Sequence, residues 1–287
     1  MNANSDRYEI FLKVAELGSI TRAAEALHYT QSGVSHAVAA LEREAGFALF
    51  VRTAGGVTLT DAGRRTETAV RQLVHAKRNL AETFAGINHV VAGVVRVGTI
   101  GSVAANLLPA WIRRFRAVYP AVDFEVSDGD YDDVRAGLAR DVLDCGFLTE
   151  TTRGDFDFHP LCTDPLVAVA ARTHPLAAMQ AVTAEALSAY PLVAEGNVFA
   201  RDVLPLLGGA LPPVRYAQNS DISALAMVEG GFGVSIFPAM TLRHYAFDVV
   251  QIPILPAVYR TVGIASKPSA LLSPVTRCFL KFLAENA

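Results

Sequence analysis

The chain has 287 residues, of which 52% are hydrophobic and 18% are charged, and its formal net charge is −3. A composition this apolar excludes a disordered chain, and the length is enough for two or three domains. The longest apolar runs, such as residues 166–171, are too short to cross a bilayer, and the polar N-terminus shows no signal-peptide pattern. We therefore expect a cytoplasmic protein without a membrane-spanning segment.

Neither charge nor cysteine spacing indicates a partner. Residues 1–65 hold seven basic and seven acidic side chains, so DNA binding there would depend on where polar groups lie rather than on net charge. Cys145, Cys162 and Cys278 are widely spaced and are expected to be buried, unpaired thiols. The seven histidines show no metal-ligand spacing, so we expect no metal and no other cofactor.

The first elements predict a winged helix-turn-helix over residues 1–60. Residues 5–17 predict a helix, and Ser19 and Thr30 are placed to cap a second and a third helix. "FALFVRTAGGVTLT" then predicts two short strands joined at Gly55-Gly56, which is a strong hairpin signal.

Residues 61–92 predict a long linker helix with a narrow apolar stripe. The stripe is close to a coiled-coil seam, which favours a helix that pairs with a second copy of the chain. Its members are Ala69, Leu73, Ala76, Leu80, Phe84 and Ile87. A helix packed on its own domain would show a similar stripe, so that alternative stays open.

From residue 93 the pattern changes to alternating strands and helices. "VVRVGTI", "VDFEVSDG" and "LDCGFLT" predict buried strands separated by amphipathic helices, which indicates a mainly parallel sheet. The pattern begins again after residue 164 with "PLVAVAA", "YPLVAEG" and "VSIFP". Two such α/β lobes leave a cleft between them, where ligands bind at the ends of strands.

The third predicted helix has two chemically different sides. Val34, Val38 and Leu41 predict the side that packs on the first two helices. The other side is polar at the helix start, where glutamine, serine and histidine can reach base edges or phosphates in a major groove. Its residues are Thr30, Gln31, Ser32, Ser35 and His36. A solvated helix face gives the same pattern, so spacing alone leaves both interpretations open.

The surrounding sequence resembles the LysR-type transcriptional regulators. "GSITRAAEALHYTQSGVSHAVAALE" and "GFALFVRTAGGVTLTDAG" fill nearly every position of that family's N-terminal motif. The likeness continues in "VRVGTIGSVAANLLP", "FRAVYP", "GDYDDVRAGLARDVLDCGFL" and "MVEGGFGVSIFP", which look like the family's effector-binding domain. It therefore covers essentially the whole chain.

This resemblance implies sequence-specific binding to double-stranded promoter DNA. The DNA contacts carry over to Gln31, Ser32, Ser35 and His36, to Arg52 of the wing, and to the neighbouring Thr30. The chain departs from the family pattern at His36, which is often a longer basic residue, and in the wing "TAGGV", which lacks a basic residue. Arg64 and Arg65 are expected to contact phosphates in compensation.

The resemblance also implies an α/β effector domain with the two-lobed fold of periplasmic binding proteins, over residues 93–287. Lobe one is expected at 93–163 plus 264–287 and lobe two at 164–263. A small-molecule inducer would bind between the lobes and switch the activity of the regulator.

Residues at strand ends and helix starts are the candidates for contact with this effector. In "GTIGS", a tight turn would direct backbone N–H groups and the Ser102 hydroxyl into the cleft. The candidates are Thr99, Ile100, Gly101, Ser102, Asp130, Thr149, Glu195, Gly196, Asn197, Phe199 and Asp221. Each one alone is as readily a cap or turn residue. Helix starts favour an anion whereas Asp130 and Glu195 would repel one, so the charge of the effector stays open.

Two other functions compete with that of a regulator. An α/β enzyme has little support, because "GGFGVSIF" lacks the third glycine of a dinucleotide motif and the last glycine of a nucleophile elbow. A small-molecule binding protein without a DNA role would have the two lobes but would not need residues 1–65. We expect no catalytic residues. The expected assembly is a dimer through the linker helix and a tetramer through the effector domains, with RNA polymerase as a further candidate partner.

Overall fold

A computed structural model describes residues 3–87, 91–196, 199–207, 211 and 213–286, with the backbone alone at 3–6 and 85–87. The chain forms two compact units, Met1–Asn88 with Arg140–Val142 and His89–Ala139 with Leu143–Ala287. Within the described ranges, no helix is both long enough and apolar enough to span a membrane.

The first unit is a winged helix-turn-helix followed by a long helix, as predicted. Its elements are α1 (Ala3–Leu17), α2 (Ile20–Leu27), α3 (Gln31–Ala45), β1 (Phe50–Thr53), β2 (Gly56–Leu59) and α4 (Asp61–Ile87). Ser19 caps α2 by accepting a hydrogen bond from the Arg22 backbone N–H. Val14, Ala23 and Val34 from three different helices meet in one buried cluster, which fixes the angle at which α3 is presented.

The hairpin turn lies one residue earlier than predicted. Thr53 pairs with Gly56 in the β1–β2 ladder, so Ala54 and Gly55 form the two-residue turn instead of Gly55-Gly56. Gly56 has a φ of +137°, and a Cβ there would lie 2.2 Å from the Gly18 carbonyl oxygen. Glycine at position 56 is therefore required by the close approach of the wing to the end of α1, where Val57 N–H donates to the Gly18 carbonyl.

The second unit contains two lobes, each with its own core. Lobe one surrounds Val97, Trp111, Phe115 and Phe147, and the Trp111 and Phe147 rings stack with centroids 5.4 Å apart. Its elements are β3 (Gly93–Thr99), α5 (Gly101–Asn106), α6 (Leu108–Val118), β4 (Val122–Asp128), α7 (Tyr131–Ala139), β5 (Cys145–Thr149), the first half of β6 (Asp157–Ala171), β11 (Tyr259–Ser266) and α12 (Pro274–Asn286).

Lobe two surrounds a core that includes Leu166, Leu192 and Ile236. Its elements are the second half of β6, α8 (Ala184–Leu187), β7 (Leu192–Glu195), α9 (Leu204–Leu207), β8 (Val214–Gln218), α10 (Asp221–Glu229), β9 (Ser235–Pro238), α11 (Ala239–Leu242) and β10 (Val249–Pro253). A wide helical turn, Phe199–Val203, leads into α9 and places Phe199 and Val203 in this core.

The strands that join the lobes make the sheet mixed rather than mainly parallel. β3 is parallel to β4 and to β5, as the alternating pattern predicts, but β11 is antiparallel to β5 and β6, and β9 and β10 are antiparallel to β6. β6 leaves lobe one and β11 returns to it, so the two strands run in opposite directions. The two-lobed α/β fold is confirmed, and β8, β10 and β11 are strands that the sequence analysis did not predict.

The cysteines are less buried than expected. Cys145 is fully buried, whereas Cys162 and Cys278 are half-buried, and all three are unpaired. Cys162 lies on β6 where that strand forms part of lobe one, so one side of it is less covered than the sheet interior.

Candidate functional site

A side-chain cap fixes the start of α3. The Thr30 hydroxyl oxygen accepts a hydrogen bond from the Gly33 backbone N–H at 3.1 Å and lies 3.2 Å from the Ser32 hydroxyl. Such a cap satisfies one of the backbone donors that a helix start leaves open. Thr30 therefore has a structural role, and its predicted contact with DNA stays a prediction.

The two sides of α3 differ in burial as the sequence predicts. Val34, Val38 and Leu41 are at most 6% exposed and pack within the first unit. The polar residues on the other side are exposed, except for Ser35, which is half-buried. They are Gln31, Ser32, Ser35 and His36. The start of α3 thus presents hydrogen-bonding groups to solvent on a helix whose position is fixed from behind.

The basic residues near α3 are not equivalent. Arg52 is exposed on β1. Arg64, in the first turn of α4, forms an ion pair with Asp61 and donates from Nη1 to the Leu59 carbonyl oxygen at 2.9 Å. Its neighbour Arg65 is exposed. Arg64 would have to leave two protein partners to contact a phosphate, which Arg52 would not.

One exposed aromatic residue beside α3 was missed by the sequence analysis. Tyr29 precedes the Thr30 cap and is 47% exposed. A tyrosine with this much exposed ring area next to a polar helix start is a candidate for contact with a partner. A tyrosine in the polar run "HYTQSG" was the available signal.

The apolar stripe of α4 lies on the exposed side of that helix. Leu73, Leu80 and Phe84 are 50%, 53% and 59% exposed, whereas Val70 is 5% exposed and packs against the first unit. Ala69 and Ala76 are also exposed, and the Ile87 side chain lies outside the described residues. The stripe is therefore distinct from the side of α4 that packs on its own unit.

A pocket of about 410 Å³ lies between the two lobes of the second unit. It forms where β3 and β4 of lobe one end and where α10 of lobe two begins. Six of the predicted effector contacts line it: Ile100, Gly101, Ser102, Asp130, Glu195 and Asp221. Six candidates that were predicted from strand ends and helix starts therefore lie together, although their contact with an effector stays a prediction.

The remaining predicted residues have other positions. Thr99 and Thr149 are fully buried and Phe199 is 4% exposed, because all three side chains pack inside the lobes. Gly196 is exposed next to Glu195 but is not among the residues that line the pocket. Asn197 lies outside the described residues.

A buried guanidinium forms the floor of this pocket. Arg260 of β11 is 1% exposed, and its Nε and Nη2 donate to Asp164 Oδ2 at 3.0 and 2.8 Å. Nη2 also donates to the Ser102 hydroxyl at 2.8 Å. Ser102 is thus an acceptor for Arg260 and is not the cap of α5, which begins at Gly101 without a side-chain cap.

Asp202 of lobe two binds this guanidinium together with three hydroxyl groups of lobe one. Arg260 Nη1 lies 3.2 Å from Asp202 Oδ2, to which the Tyr131 hydroxyl also donates. The Thr149 and Thr151 hydroxyls donate to the other carboxylate oxygen at 2.8 and 3.0 Å. Asp202 is fully buried, so these four donors replace the water that an exposed carboxylate would bind.

Burial and charge shift the pKa values of three groups at the pocket. Burial raises the pKa of Tyr131 well above its ordinary value. Burial alone would lower the pKa of Arg260, but Tyr131, Asp202 and Asp164 outweigh it and raise the pKa, so the guanidinium stays charged. Burial, followed by the charge of Glu195, raises the pKa of Asp221 from 3.8 to about 6.

The charged members of this cluster, Asp164, Asp202 and Arg260, were not among the residues predicted from the sequence. The available signals were single charged residues in otherwise apolar strands: Asp164 in "CTDPLVAVAA" and Arg260 in "YRTVGIAS". A charge inside an apolar strand indicates a buried partner, because an unpaired buried charge is very costly. Asp202 lies in a short turn and gives no comparable signal.

A winged helix-turn-helix followed in the same chain by a two-lobed domain with a polar pocket defines a class of DNA-binding regulators that carry a ligand-binding domain. Residues 5–64 match the bacterial regulatory helix-turn-helix protein, lysR family, and residues 88–287 match the LysR substrate binding domain. The chain belongs to the LysR family of DNA-binding transcriptional regulators, which confirms the predicted family.

Two similar relatives match this chain over nearly their whole length, and both are named as transcriptional regulators. The transcriptional dual regulator GltC of Bacillus subtilis (strain 168) is 30% identical over 289 residues, which cover 96% of this chain and 94% of GltC. The HTH-type transcriptional regulator YvbU of the same organism is 28% identical over 283 residues, which cover 96% of each chain. The function class that these relatives indicate is a transcriptional regulator.

Two solved structures share the fold. A full-length OxyR variant from Pseudomonas aeruginosa superposes with a TM-score of 0.75 at 26% identity, covering 99% of this chain and 94% of that chain. Full-length CbnR complexed with its target DNA superposes with a TM-score of 0.71 at 22% identity, covering 100% of both chains. At that lower identity, the CbnR complex shows the fold alone.

Proposed function

We propose that this regulator reads promoter DNA with the exposed side of α3, and that a small molecule in the inter-lobe pocket changes that binding. The observation that carries the proposal is the division of α3 into a buried apolar side and an exposed polar start. Because its apolar side packs within the first unit, α3 can place its polar start in a major groove without losing that packing.

The exposed residues differ in what they can recognise. The Gln31 carboxamide can pair with both polar groups on the major-groove edge of adenine, which specifies a base. Ser32, Ser35 and His36 can bind base edges or phosphates. Arg52 and Arg65 are cations that match phosphates, which position the protein but carry no sequence information.

The pocket is the proposed effector site because polar groups from both lobes meet there. Its volume of about 410 Å³ lies within the range of roughly 300–1,000 Å³ typical of small-molecule sites. Ser102, Asp130 and Asp221 offer hydrogen-bonding groups to a ligand. Thr149 instead supports the site by donating to Asp202.

The exposed stripe of α4 supports assembly through this helix. Full burial of an exposed leucine side chain stabilises by about 1.5–3 kcal/mol. Leu73 and Leu80 are already half covered, so a second copy of α4 that covered them would contribute about half of that free energy for each. We propose a dimer through α4 and a tetramer through the effector domains. Because the partner is promoter DNA, the proposed site of action is the cytoplasm, with RNA polymerase as the candidate partner there.

Two substitutions test the reading of DNA. Gln31→Ala should lose about 1–3 kcal/mol of discrimination at one base-pair position, because one base-specific pair disappears. Arg52→Ala should weaken binding to specific and random DNA alike, because phosphates are present in both. Gel-shift titrations of full-length protein on a target fragment and on a scrambled fragment measure both effects.

The ratio of the two affinities decides the result. We expect that ratio to fall for Gln31→Ala and to remain unchanged for Arg52→Ala. An unchanged ratio for Gln31→Ala would remove Gln31 from base recognition. Gln72→Ala, an exposed polar position on α4, serves as the control and should bind both fragments as the native chain does.

A further inference from the structure

Carboxylates set the charge of the inter-lobe pocket. Asp128 and Asp130 of lobe one and Glu195 and Asp221 of lobe two all line it. The acidic side chains thus come from both sides of the cleft, on separate elements of the fold. A ligand bound between the lobes meets negative charge on each side, and the partly buried setting screens this charge less than open solvent would.

Arg260, the one cation among the described residues that line the pocket, does not offset this charge. Its ion pairs with Asp164 and Asp202, at 2.8 and 3.2 Å, set one positive charge against two negative charges. Its three nitrogens donate five hydrogen bonds to protein acceptors, including Ser102 and Tyr131. The guanidinium is therefore committed to the protein and is a poor anchor for an anionic ligand.

Buried contacts join the two lobes, so the lobes cannot separate easily to reduce the repulsion among the pocket carboxylates. Asp202 of lobe two is fully buried against Tyr131, Thr149 and Thr151 of lobe one. An ion pair between Arg201 of lobe two and Asp132 of lobe one also joins the lobes. Opening the cleft would break these hydrogen bonds and expose or orphan the buried carboxylate. These contacts therefore favour the arrangement that keeps the acidic side chains of both lobes around the pocket.

The pKa of one carboxyl that lines the pocket reflects its burial first and the neighbouring negative charge second. Burial and the charge of Glu195 raise the pKa of Asp221 to about 6. The other groups that face Asp221 across the pocket are Asp128 and Asp130, with Arg260 on the floor and Tyr245 beside it. A ligand that brought positive charge here would relieve the cost of ionising Asp221.

We propose that the effector of this regulator is an organic cation, a small molecule that carries a protonated amine. This step rests on the proposed function of the pocket as the effector site. Ile222 and Tyr245 also line the pocket and can contact the carbon skeleton of such a ligand. A metal ion fits less well, because no three His, Cys, Asp or Glu side chains in the described part of the chain are grouped to hold one.

A matched series of probes tests the charge of the ligand. 1,4-Diaminobutane, 4-aminobutanoate and butanedioate share a four-carbon chain and carry two positive charges, one of each sign, and two negative charges. Thermal unfolding of the full-length protein with each probe, at equal ionic strength and at about pH 8, reports binding to the folded state. We expect stabilisation to fall in that order, with none from butanedioate.

Charge-removing variants then place the binding in the pocket. Asp221→Asn and Glu195→Gln should each raise the dissociation constant of 1,4-diaminobutane about tenfold or more, because each removes a charge-assisted hydrogen bond. Asp155→Asn removes an exposed carboxylate that does not line the pocket and should bind as the native chain does. Titration calorimetry gives the three constants on the same scale.

The possible failures are distinguishable. If butanedioate binds as well as the diamine and Asp221→Asn strengthens its binding, the pocket remains the effector site and only the cationic class is wrong. If no probe distinguishes Asp221→Asn from Asp155→Asn, the diamine does not bind in the pocket and the cationic class is wrong as well. Absence of any stabilisation by the diamine at millimolar concentration also overturns the inference.

Discussion

Polar side chains are exposed in the DNA-binding head, the winged helix-turn-helix that precedes α4, whereas those at the floor of the inter-lobe pocket are buried. On α3, Gln31 and His36 are exposed, whereas at the pocket floor Asp164, Asp202 and Arg260 are at most 2% exposed. An exposed polar group stays hydrated until a partner replaces the water, but a buried charge needs its partners within the protein. The polar side chains of α3 therefore remain available to bind DNA. Most hydrogen-bonding groups at the pocket floor are already bonded to protein partners.

The largest expected effect comes from removing the buried guanidinium. Arg260→Leu leaves Asp164 and Asp202 buried without their cation, which should lower the free energy of unfolding by about 3–5 kcal/mol. Trp111, the single tryptophan of the chain, lies in the core of lobe one and reports unfolding of the effector domain. Urea titration followed by tryptophan fluorescence measures the loss.

An exposed ion pair in the same domain provides the control. Arg172 and Asp248 are 2.7 Å apart, with side chains 65% and 66% exposed. Arg172→Leu should cost no more than about 1 kcal/mol, because water solvates the remaining carboxylate. If Arg260→Leu lowered the free energy of unfolding as little as Arg172→Leu, the proposed difference between the buried ion pairs of the pocket floor and an exposed ion pair would be wrong.

α4, which follows the head, exposes apolar side chains. Changes to its apolar stripe should give the next largest effect. Leu73→Glu together with Leu80→Glu should raise the dissociation constant of the dimer by about a hundredfold or more, because each change removes apolar burial and introduces a charge. Sedimentation equilibrium measures the constant.

Thr68→Glu together with Gln72→Glu adds the same two charges to exposed polar positions of α4. This control should leave more dimer than the leucine variant. Equal assembly of the two double variants would show that the stripe is covered by something other than a second copy.

The smallest expected effect concerns Asp221 and depends on pH. Its folded-state pKa of about 6 lies above the ordinary value of 3.8, so its ionisation costs stability above pH 6 and costs almost nothing below pH 4. Asp221→Asn should therefore stabilise the protein near neutral pH, and this gain should shrink by about 1 kcal/mol between pH 8 and pH 5. Melting curves by circular dichroism across that range measure the gain.

The exposed Asp155→Asn variant is the reference for this measurement. The gain for Asp221→Asn is measured relative to this variant at each pH. A gain for Asp221→Asn that is independent of pH would mean that burial and the charge of Glu195 do not raise the pKa of Asp221.

The contrast between the two regions also explains how far the sequence could predict them. The two sides of α3 were predictable because a helical period is a local property, and Val34, Val38 and Leu41 show it within eight residues. The same rule predicted the stripe of α4. Strand ends and helix starts were local signals too, and two residues that they indicated, Ser102 and Asp221, line the same pocket.

The pocket floor was not predictable by such rules because its contacts are distant in sequence. Ser102 and Arg260 are 158 positions apart, and Thr149 and Asp202 are 53 positions apart. These residues lie on α5, at the end of β5, on the wide turn Phe199–Val203 and on β11, and no helical or strand period relates such positions in the sequence. For the same reason Thr149 was predicted to contact a ligand, whereas the structure has it donating to Asp202.

The central claim, that the chain reads specific DNA through α3, has one direct measurement. Fragmented genomic DNA from the source organism is passed over immobilised full-length protein, and the retained fragments are sequenced for the native chain and for Gln31→Ala. The account predicts that the native chain enriches a small set of fragments with a common motif, by roughly a thousandfold or more over bulk DNA, and that Gln31→Ala loses preference at one position of the motif. Uniform retention of all fragments by the native chain would contradict the account.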